Sequence, residues 1–254
     1  MCRADTPSYA EAGVSFNPFS AENVQPGEIP YFFDPSFIEQ VRESSPTLYA
    51  QAFAESFQYK IPLSTLIGCK TLDQRLANAG HRGQIIGPHG SGKSTLIESF
   101  AEYLELTGFT VIKETLHNSQ RRISQSLTGT FSVLPDRSPD TPPKNTLLIL
   151  DGFEQLSFLN KIRVIRLCRR KNLGILITAH SPQAFAGPVL YRTKTSADTL
   201  QKIVSYLIGE SRFVPGESLL SDLRQKHKKN IRAILDGLYD WWEKIQSLRI
   251  EEQS

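Results

Sequence analysis

Gly87-Pro88-His89-Gly90-Ser91-Gly92-Lys93-Ser94-Thr95 is the stretch whose residue types and spacing fit one chemistry most closely. Four residues separate Gly87 from Gly92, and a Lys-Ser pair follows. Glycines there let the backbone curl until successive N–H groups point inward at phosphate oxygens. The helix that starts behind them offers an N-terminus whose dipole favours anions. In this pattern Lys93 is expected to reach the β- and γ-phosphates of a nucleotide and the Ser94 hydroxyl to sit on Mg2+, with Thr95 near the α-phosphate. A glycine turn between strand and helix would use some of the same letters. The apolar strand before the segment and the amphipathic helix after it favour the phosphate-binding loop, or P-loop.

A second group lies further along. Thr146–Leu150 is apolar and is followed by Asp151, a carboxylate placed where a parallel strand ends and ligands gather. About sixty residues beyond the loop, with one strand between, such an Asp is expected to hold Mg2+, usually through water. Glu154, three residues on with Gly152 removing bulk at the turn, is the candidate to orient or deprotonate an attacking water. Its alternative is a carboxylate favoured at a helix N-terminus by the macrodipole. Gly174–Thr178 is another apolar strand, and Thr178 or His180 beyond it is placed to touch the γ-phosphate or its water. For His180 an ordinary hydrogen-bonded loop histidine is the competing reading.

These residues need elements to position them. Residues 1–30 are polar and rich in Pro and Gly, and Tyr31, Phe32 and Phe33 begin the first segment that must be covered. Pro35 to Ala79 is helical in pattern, with breaks expected at Pro46, Pro62 and Gly68. Strands are expected at Gln84–Gly87, Thr110–Leu116, Thr146–Leu150, Gly174–Thr178 and Val189–Arg192. Helices are expected at Ser94–Thr107, Gln120–Leu127 and Glu154–Lys171, and a proline-rich surface loop at Leu134–Lys144. Short apolar strands alternating with helices imply an α/β fold with a parallel sheet covered on both faces. After Thr193 the strands stop, and Ser196–Gly209, Gly216–His227 and Asn230–Leu248 read as a small helical domain. The expected organisation is an N-terminal polar and helical extension (1–79), a P-loop nucleotide-binding α/β domain (80–195) and a helical lid (196–250).

The order of a P-loop strand, an intervening strand, an Asp-ended strand, a polar-ended strand and a helical appendage resembles the AAA+ ATPases over roughly residues 80–248. The resemblance implies ATP rather than GTP as ligand, and no Asn-Lys-x-Asp segment specifying GTP is present. It makes Thr178 or His180 a sensor on the fourth strand. Lys229-Asn230-Ile231-Arg232 matches the family's Asn and Arg at the last lid helix but has Lys where Gly is usual. Arg232 is thereby a candidate second sensor for the β/γ-phosphates, its alternative being an exposed helix arginine. Two departures limit the resemblance. Asp151-Gly152-Phe153-Glu154 delays the acid that usually follows the metal Asp, closer to NACHT-type signalling ATPases, with Gln155 in place of their second acid. Ser181–Pro188, where ring-formers offer an arginine finger, contains no Arg, so no active hexameric ring is expected; Arg192 is the nearest substitute.

Composition narrows the classes. Net charge is +3 over 254 residues. Residues 1–59 hold two cations against eight acids, whereas 155–195 hold eight cations and no acid, which suggests intramolecular docking or an acidic partner. Arg163, Arg166 and Arg170 fall on one helix face, and without interleaved aromatics a solvated face is favoured over nucleic acid. No apolar run approaches the roughly 20 residues of a membrane-spanning helix, and no secretory signal core is seen near Glu11, Glu22 and Glu28. Cys2, Cys69 and Cys168 are isolated, which suits a reducing cytoplasm. His117 to Arg122 reads as a polar helix start, Trp241 and Trp242 as lid-helix packing, and Tyr31 and Phe33 as adenine-pocket walls or core anchors. The function expected is an ATP-binding molecular switch or motor subunit, a Mg-dependent ATPase with a protein partner. A signalling switch with little hydrolysis is the alternative, and a P-loop small-molecule kinase the third reading. Strand order separates the last: a strand between the P-loop and Asp151 strands counts against a kinase.

Overall fold

Leu147, Leu148, Ile149 and Leu150 are all fully buried, although neighbouring strand residues point to opposite faces. Only a sheet covered on both sides buries such a run, and apolar stretches this short and branched pair as strands rather than close a helix. The computed structural model describes residues 17–117, 121–134, 145–209, 214–228 and 230–252, with side chains to residue 248. In chain order the elements are α1 (Pro35–Ser44), α2 (Pro46–Tyr59), α3 (Leu63–Asn78), β1 (Arg82–Ile86), α4 (Lys93–Leu106), β2 (Thr110–Thr115) and α5 (Gln125–Val133). There follow β3 (Thr146–Asp151), a 3-10 turn (Phe153–Gln155), α6 (Phe158–Arg170), β4 (Gly174–Ala179), β5 (Val189–Arg192), α7 (Ala197–Ile208), α8 (Glu217–Lys226) and α9 (Ile231–Glu252).

The chain divides into two compact units. One comprises the described parts of Met1–Ile67, His89–Leu96 and Lys194–Ser254, the other those of Gly68–Pro88 and Ile97–Thr193. The second unit holds the sheet, ordered β2-β3-β4-β1-β5 with every pair parallel. β4 therefore lies between β1 and β3. Leu148, Leu150, Phe153, Val164, Cys168 and Ile177 form part of its core against α6. Gln84 is a buried polar residue on β1. Its Oε1 accepts from the Gln183 N–H at 2.8 Å and its Nε2 donates to the Gly187 carbonyl at 2.6 Å, tying down the segment between β4 and β5.

The first unit is helical. Phe19, Phe32, Leu200, Val204, Leu235 and Trp242 are among the residues of its core, and Trp242 meets the edge of Phe19 at 6.1 Å between ring centres. Ser196 caps α7 by accepting from the Thr199 N–H at 3.0 Å, an ordinary helix start.

Most expected boundaries hold to within two residues, and three expectations change by more than that or in kind. Pro46 and Pro62 do break the helices, but Gly68 lies buried inside α3, where packing outweighs its low helix propensity. α5 starts at Gln125 because the Ser124 hydroxyl caps it, accepting from the Leu127 N–H at 2.9 Å. The expected start at Gln120 lies outside the described residues. α6 begins at Phe158 behind Ser157, so Glu154 belongs to the preceding 3-10 turn rather than to the helix. Residues 135–144 of the expected proline-rich loop lie outside the described residues, as do Cys2, Glu11 and Lys229. Among the described residues no helix is long and apolar enough to cross a membrane.

Candidate functional site

The carboxyl ends of β1, β3 and β4 converge because parallel strands finish on one edge. Register aligns Leu150 with Ile177, so the next residues, Asp151 and Thr178, lie abreast. Thr178 is fully buried. Its hydroxyl donates to Asp151 Oδ1 and accepts from the Gly152 N–H at 2.8 Å, so both of its hydrogen-bonding roles are used between these two residues. Gly152 has φ +83°, and a Cβ there would meet the Leu116 carbonyl oxygen at 2.9 Å. Only glycine turns the chain out of β3 at that point without displacing backbone.

Beyond this turn Glu154 and His180 face one another, His180 Nε2 lying 3.0 Å from Glu154 Oε1. His180 Nδ1 is 3.2 Å from the Gly87 carbonyl oxygen at the end of β1. A carboxylate and a carbonyl are both acceptors, and a neutral imidazole has one N–H to donate. Glu154 Oε2 is buried and has no hydrogen-bond partner among the described residues. Buried polar atoms are rarely left so, and such an atom marks a place for a water or ion. Asp151, itself buried, is a hard oxygen donor of the kind Mg2+ takes. Among the described residues no group of three or more His, Cys, Asp or Glu side chains is arranged to hold a metal ion by itself, so Asp151 would share such an ion with water or ligand oxygens.

The loop residues His89 to Lys93 belong to the helical unit. Gly90 and Gly92 have φ of +66° and +84°, the left-handed conformation that curls a loop into a helix start, and α4 opens at Lys93. Pro88 and His89 are exposed at the crown, while Ser91 is buried. The loop is held from two sides. A Cβ on Gly92 would meet the Tyr31 ring at 3.2 Å, and Tyr31 is anchored by its carbonyl accepting from Thr65 Oγ1 at 2.9 Å. On the other side the Ile231 N–H donates to the Gly90 carbonyl at 3.0 Å. Arg232 is exposed, one residue into α9 from that bond.

Six residues singled out from sequence thus belong to the sheet unit: Gly87, Pro88, Asp151, Glu154, Thr178 and His180. His89, Gly90, Ser91, Gly92, Lys93, Ser94, Thr95 and Arg232 belong to the helical one. Tyr31 and Phe33 are buried core residues with rings edge-on at 4.9 Å. Trp242 is core and Trp241 packs against it. Arg163, Arg166 and Arg170 do share a face, lining a groove with Leu159, Ile162 and Leu167. Asn230, matched from sequence only as part of the family's Asn-x-Arg pattern, caps α9 by accepting from the Ala233 N–H at 3.3 Å. Its position before the apolar repeat of α9 is the signal that could have found it.

A five-stranded parallel sheet with β4 between β1 and β3, a loop of this form between β1 and α4, and a C-terminal helical region make this a P-loop NTPase fold of AAA+-like architecture. No family model matches the chain, and no curated protein matches its sequence. Among solved structures, AMPPCP-bound DnaA from Aquifex aeolicus is similar over 66% of this chain and 58% of its own, with 18% identity and a TM-score of 0.45. A DNA replication initiation factor is similar over 72% of this chain and 63% of its own, at 18% identity and a TM-score of 0.47. A RuvB variant from Thermotoga maritima is similar over 67% of each chain, at 12% identity and a TM-score of 0.41. The chain spans less than two thirds of the first two structures. Likeness at these scores carries no argument about what the chain binds.

Proposed function

We propose that the chain binds Mg·ATP through Gly87 to Thr95 and hydrolyses it, acting as a molecular switch or motor subunit with a protein partner in the cytoplasm. The observation that carries this reading is the loop itself: two left-handed glycines between β1 and the N-terminus of α4, with Lys93 and Ser94 at the helix start. Lys93 holds β- and γ-phosphate oxygens, and Ser94 and Asp151 are the residues to hold Mg2+. The ion, when bound, supplies charge neutralisation across the phosphate oxygens. Thr178 acts as a positioning residue, fixing one oxygen of Asp151. His180 steers Glu154 by its contact with Oε1, leaving Oε2 as the atom that orients the attacking water and accepts its proton. Arg232 contributes a cation at a helix start that has no acid in its first turn, where the dipole disfavours a positive charge unless an anion shares the site. The three C-terminal helices, 196–250, act as the lid.

Lys93→Ala is expected to weaken ATP binding by roughly tenfold or more, the loss of a charge-assisted hydrogen bond. Retained affinity in a calorimetric titration would sink the assignment. Glu154→Gln is expected to keep binding and lower turnover by about 10²–10⁴-fold; unchanged turnover removes Glu154 from the role. The second reading, a NACHT-like signalling switch with little hydrolysis, is favoured by one observation: His180 already occupies one oxygen of Glu154. Steady-state ATPase measurement with and without partners separates the two. The position of β4 between β1 and β3 counts against a small-molecule kinase.

A further inference from the structure

α6 carries two stripes at helical spacing, and only one of them is used up inside the sheet unit. Val164, Ile165 and Cys168 face inward and are buried in its core. On the opposite side Leu159, Ile162, Arg163, Arg166, Leu167 and Arg170 repeat with the helical period and line an open groove of about 420 Å³. Leu159 is 78% exposed, and Phe158, one turn before Ile162, is 65% exposed. Single exposed hydrophobic residues are ordinary, but a continuous run of them along a groove marks a surface that something covers. The stripe extends about 16 Å along the helix at 1.5 Å per residue, or about three turns. Its charge is one-sided, since residues 155–195 hold eight cations and no acid. Two lysines of this region are engaged within the unit. Lys161 Nζ donates to Gln183 Oε1 at 2.9 Å and lies over the Phe153 ring, and Lys171 Nζ donates to the Leu134 carbonyl. Arg163 and Arg166 are instead exposed along the groove, and among the described residues no carboxylate pairs with either.

We propose that this groove is a docking site for an acidic amphipathic helix of a partner protein, its apolar side chains seated on Leu159, Ile162 and Leu167 and its carboxylates on Arg163 and Arg166. The proposal rests on the function above only in taking that protein as the partner of the switch; docking itself requires no nucleotide. A helix presents apolar anchors at i, i+3, i+4 and i+7, the period at which the groove offers its own. Guanidinium groups suit carboxylates because their planar N–H donors fork onto both oxygens. The apolar contacts supply most of the affinity, while the arginines select the partner and fix its register. Nucleic acid fits less well. Phosphates call for cations but not for aliphatic side chains between them, and no aromatic ring lines the groove to stack a base.

The full chain without nucleotide is titrated against a fluorescein-labelled peptide of about 18 residues, long enough to span the stripe. The peptide is built from Leu, Glu, Ala and Gln, with leucines at i, i+3, i+4 and i+7 and glutamates beside them, and binding is read by fluorescence anisotropy. A peptide of the same composition with its leucines dispersed around the helix, and a short DNA duplex, are the comparison probes. Wild type is expected to bind the ordered peptide with a Kd below about 100 μM, as a small interface allows, and the dispersed one about tenfold or more weakly. Arg163→Glu and Arg166→Glu together are expected to weaken the ordered peptide about tenfold or more. Leu159→Ser should weaken it about fivefold to tenfold. Lys226→Glu, a charge reversal exposed on α8, should change it less than about twofold. A peptide with lysines in place of the glutamates should show the reverse preference, binding R163E/R166E about tenfold more tightly than wild type, which an unfolded variant would not do. No binding of the ordered peptide, equal binding of the dispersed one, or an equal loss in K226E and R163E/R166E overturns the docking site. DNA bound more tightly than the peptide and released by R163E/R166E overturns the protein occupant in favour of nucleic acid. Wild type that takes the peptide but fails to bind Mg·ATP by calorimetry overturns the nucleotide reading alone and leaves the docking site standing.

Discussion

Replacing Thr178 with valine tests the strand-end arrangement most directly, because the two side chains have nearly the same shape and differ in one hydroxyl. Thr178 is fully buried, so no water replaces what the hydroxyl did. Its loss leaves the Gly152 N–H without its acceptor and Asp151 Oδ1 without its donor. A buried donor left unmade costs about 1–3 kcal/mol, and a hydrogen bond to a charged group contributes about 1.5–3 kcal/mol. Asp151 retains slight access to solvent, which returns part of its share, so the expected loss is about 2–4 kcal/mol. Thr178→Ser keeps both bonds and loses one methyl, for about 1 kcal/mol. Urea unfolding of the three proteins measures the difference, and amide exchange at Gly152 reports the bond itself. Exchange should accelerate in T178V and stay slow in T178S. A valine variant within 1 kcal/mol of wild type, or a serine variant as unstable as the valine one, would refute the reasoning.

The bracing of the segment after β4 predicts that Gln84→Leu costs about 2–4 kcal/mol, since the Gln183 N–H and the Gly187 carbonyl lose their partner together. A loss below 1 kcal/mol by urea unfolding would show the side chain to be dispensable. Cys69 and Cys168 are buried, and burial raises both thiols, Cys168 to about 12. Both should therefore resist iodoacetamide at pH 8 in the folded chain and react once it is unfolded; rapid native labelling of either, mapped by peptide mass spectrometry, contradicts their placement.

The order of elements was legible from apolar periodicity, and the tight glycine loop between β1 and α4 from its letters alone. The strands from Thr146 and Gly174 were readable because a run such as Leu147–Leu150 has no amphipathic alternative. Starts of α5 and α6 were less so. Ser124 and Ser157 are cap residues among many serines, and the 3-10 turn at Phe153–Gln155 interrupts an otherwise helical pattern. What the sequence withheld were contacts between distant elements. Thr178 meets Asp151 only through the β3–β4 register, and Glu154 meets His180 only because β4 lies beside both β1 and β3. Neither depends on anything local to those residues. The bond from the Ile231 N–H to the Gly90 carbonyl is of the same kind, 141 positions apart in sequence and invisible until α9 is placed.

The strand order also bears on how this sheet comes into being. β1, which leads into the glycine-rich loop before α4, has β4 and β5 as its neighbours, and both are encoded far downstream of it. During synthesis at about 5–20 residues per second, β1 emerges and then waits about 5–20 seconds before either neighbour exists to pair with it. Arg82–Ile86 must remain unpaired through that interval beside the growing chain, with its apolar side chains uncovered. β2 and β3 lie next to each other and can join earlier. The β1 end of the sheet is thus the last part to close, and a chain cut short before Gly174 would carry the loop at Gly87–Thr95 on a strand with neither of its neighbours to pair with.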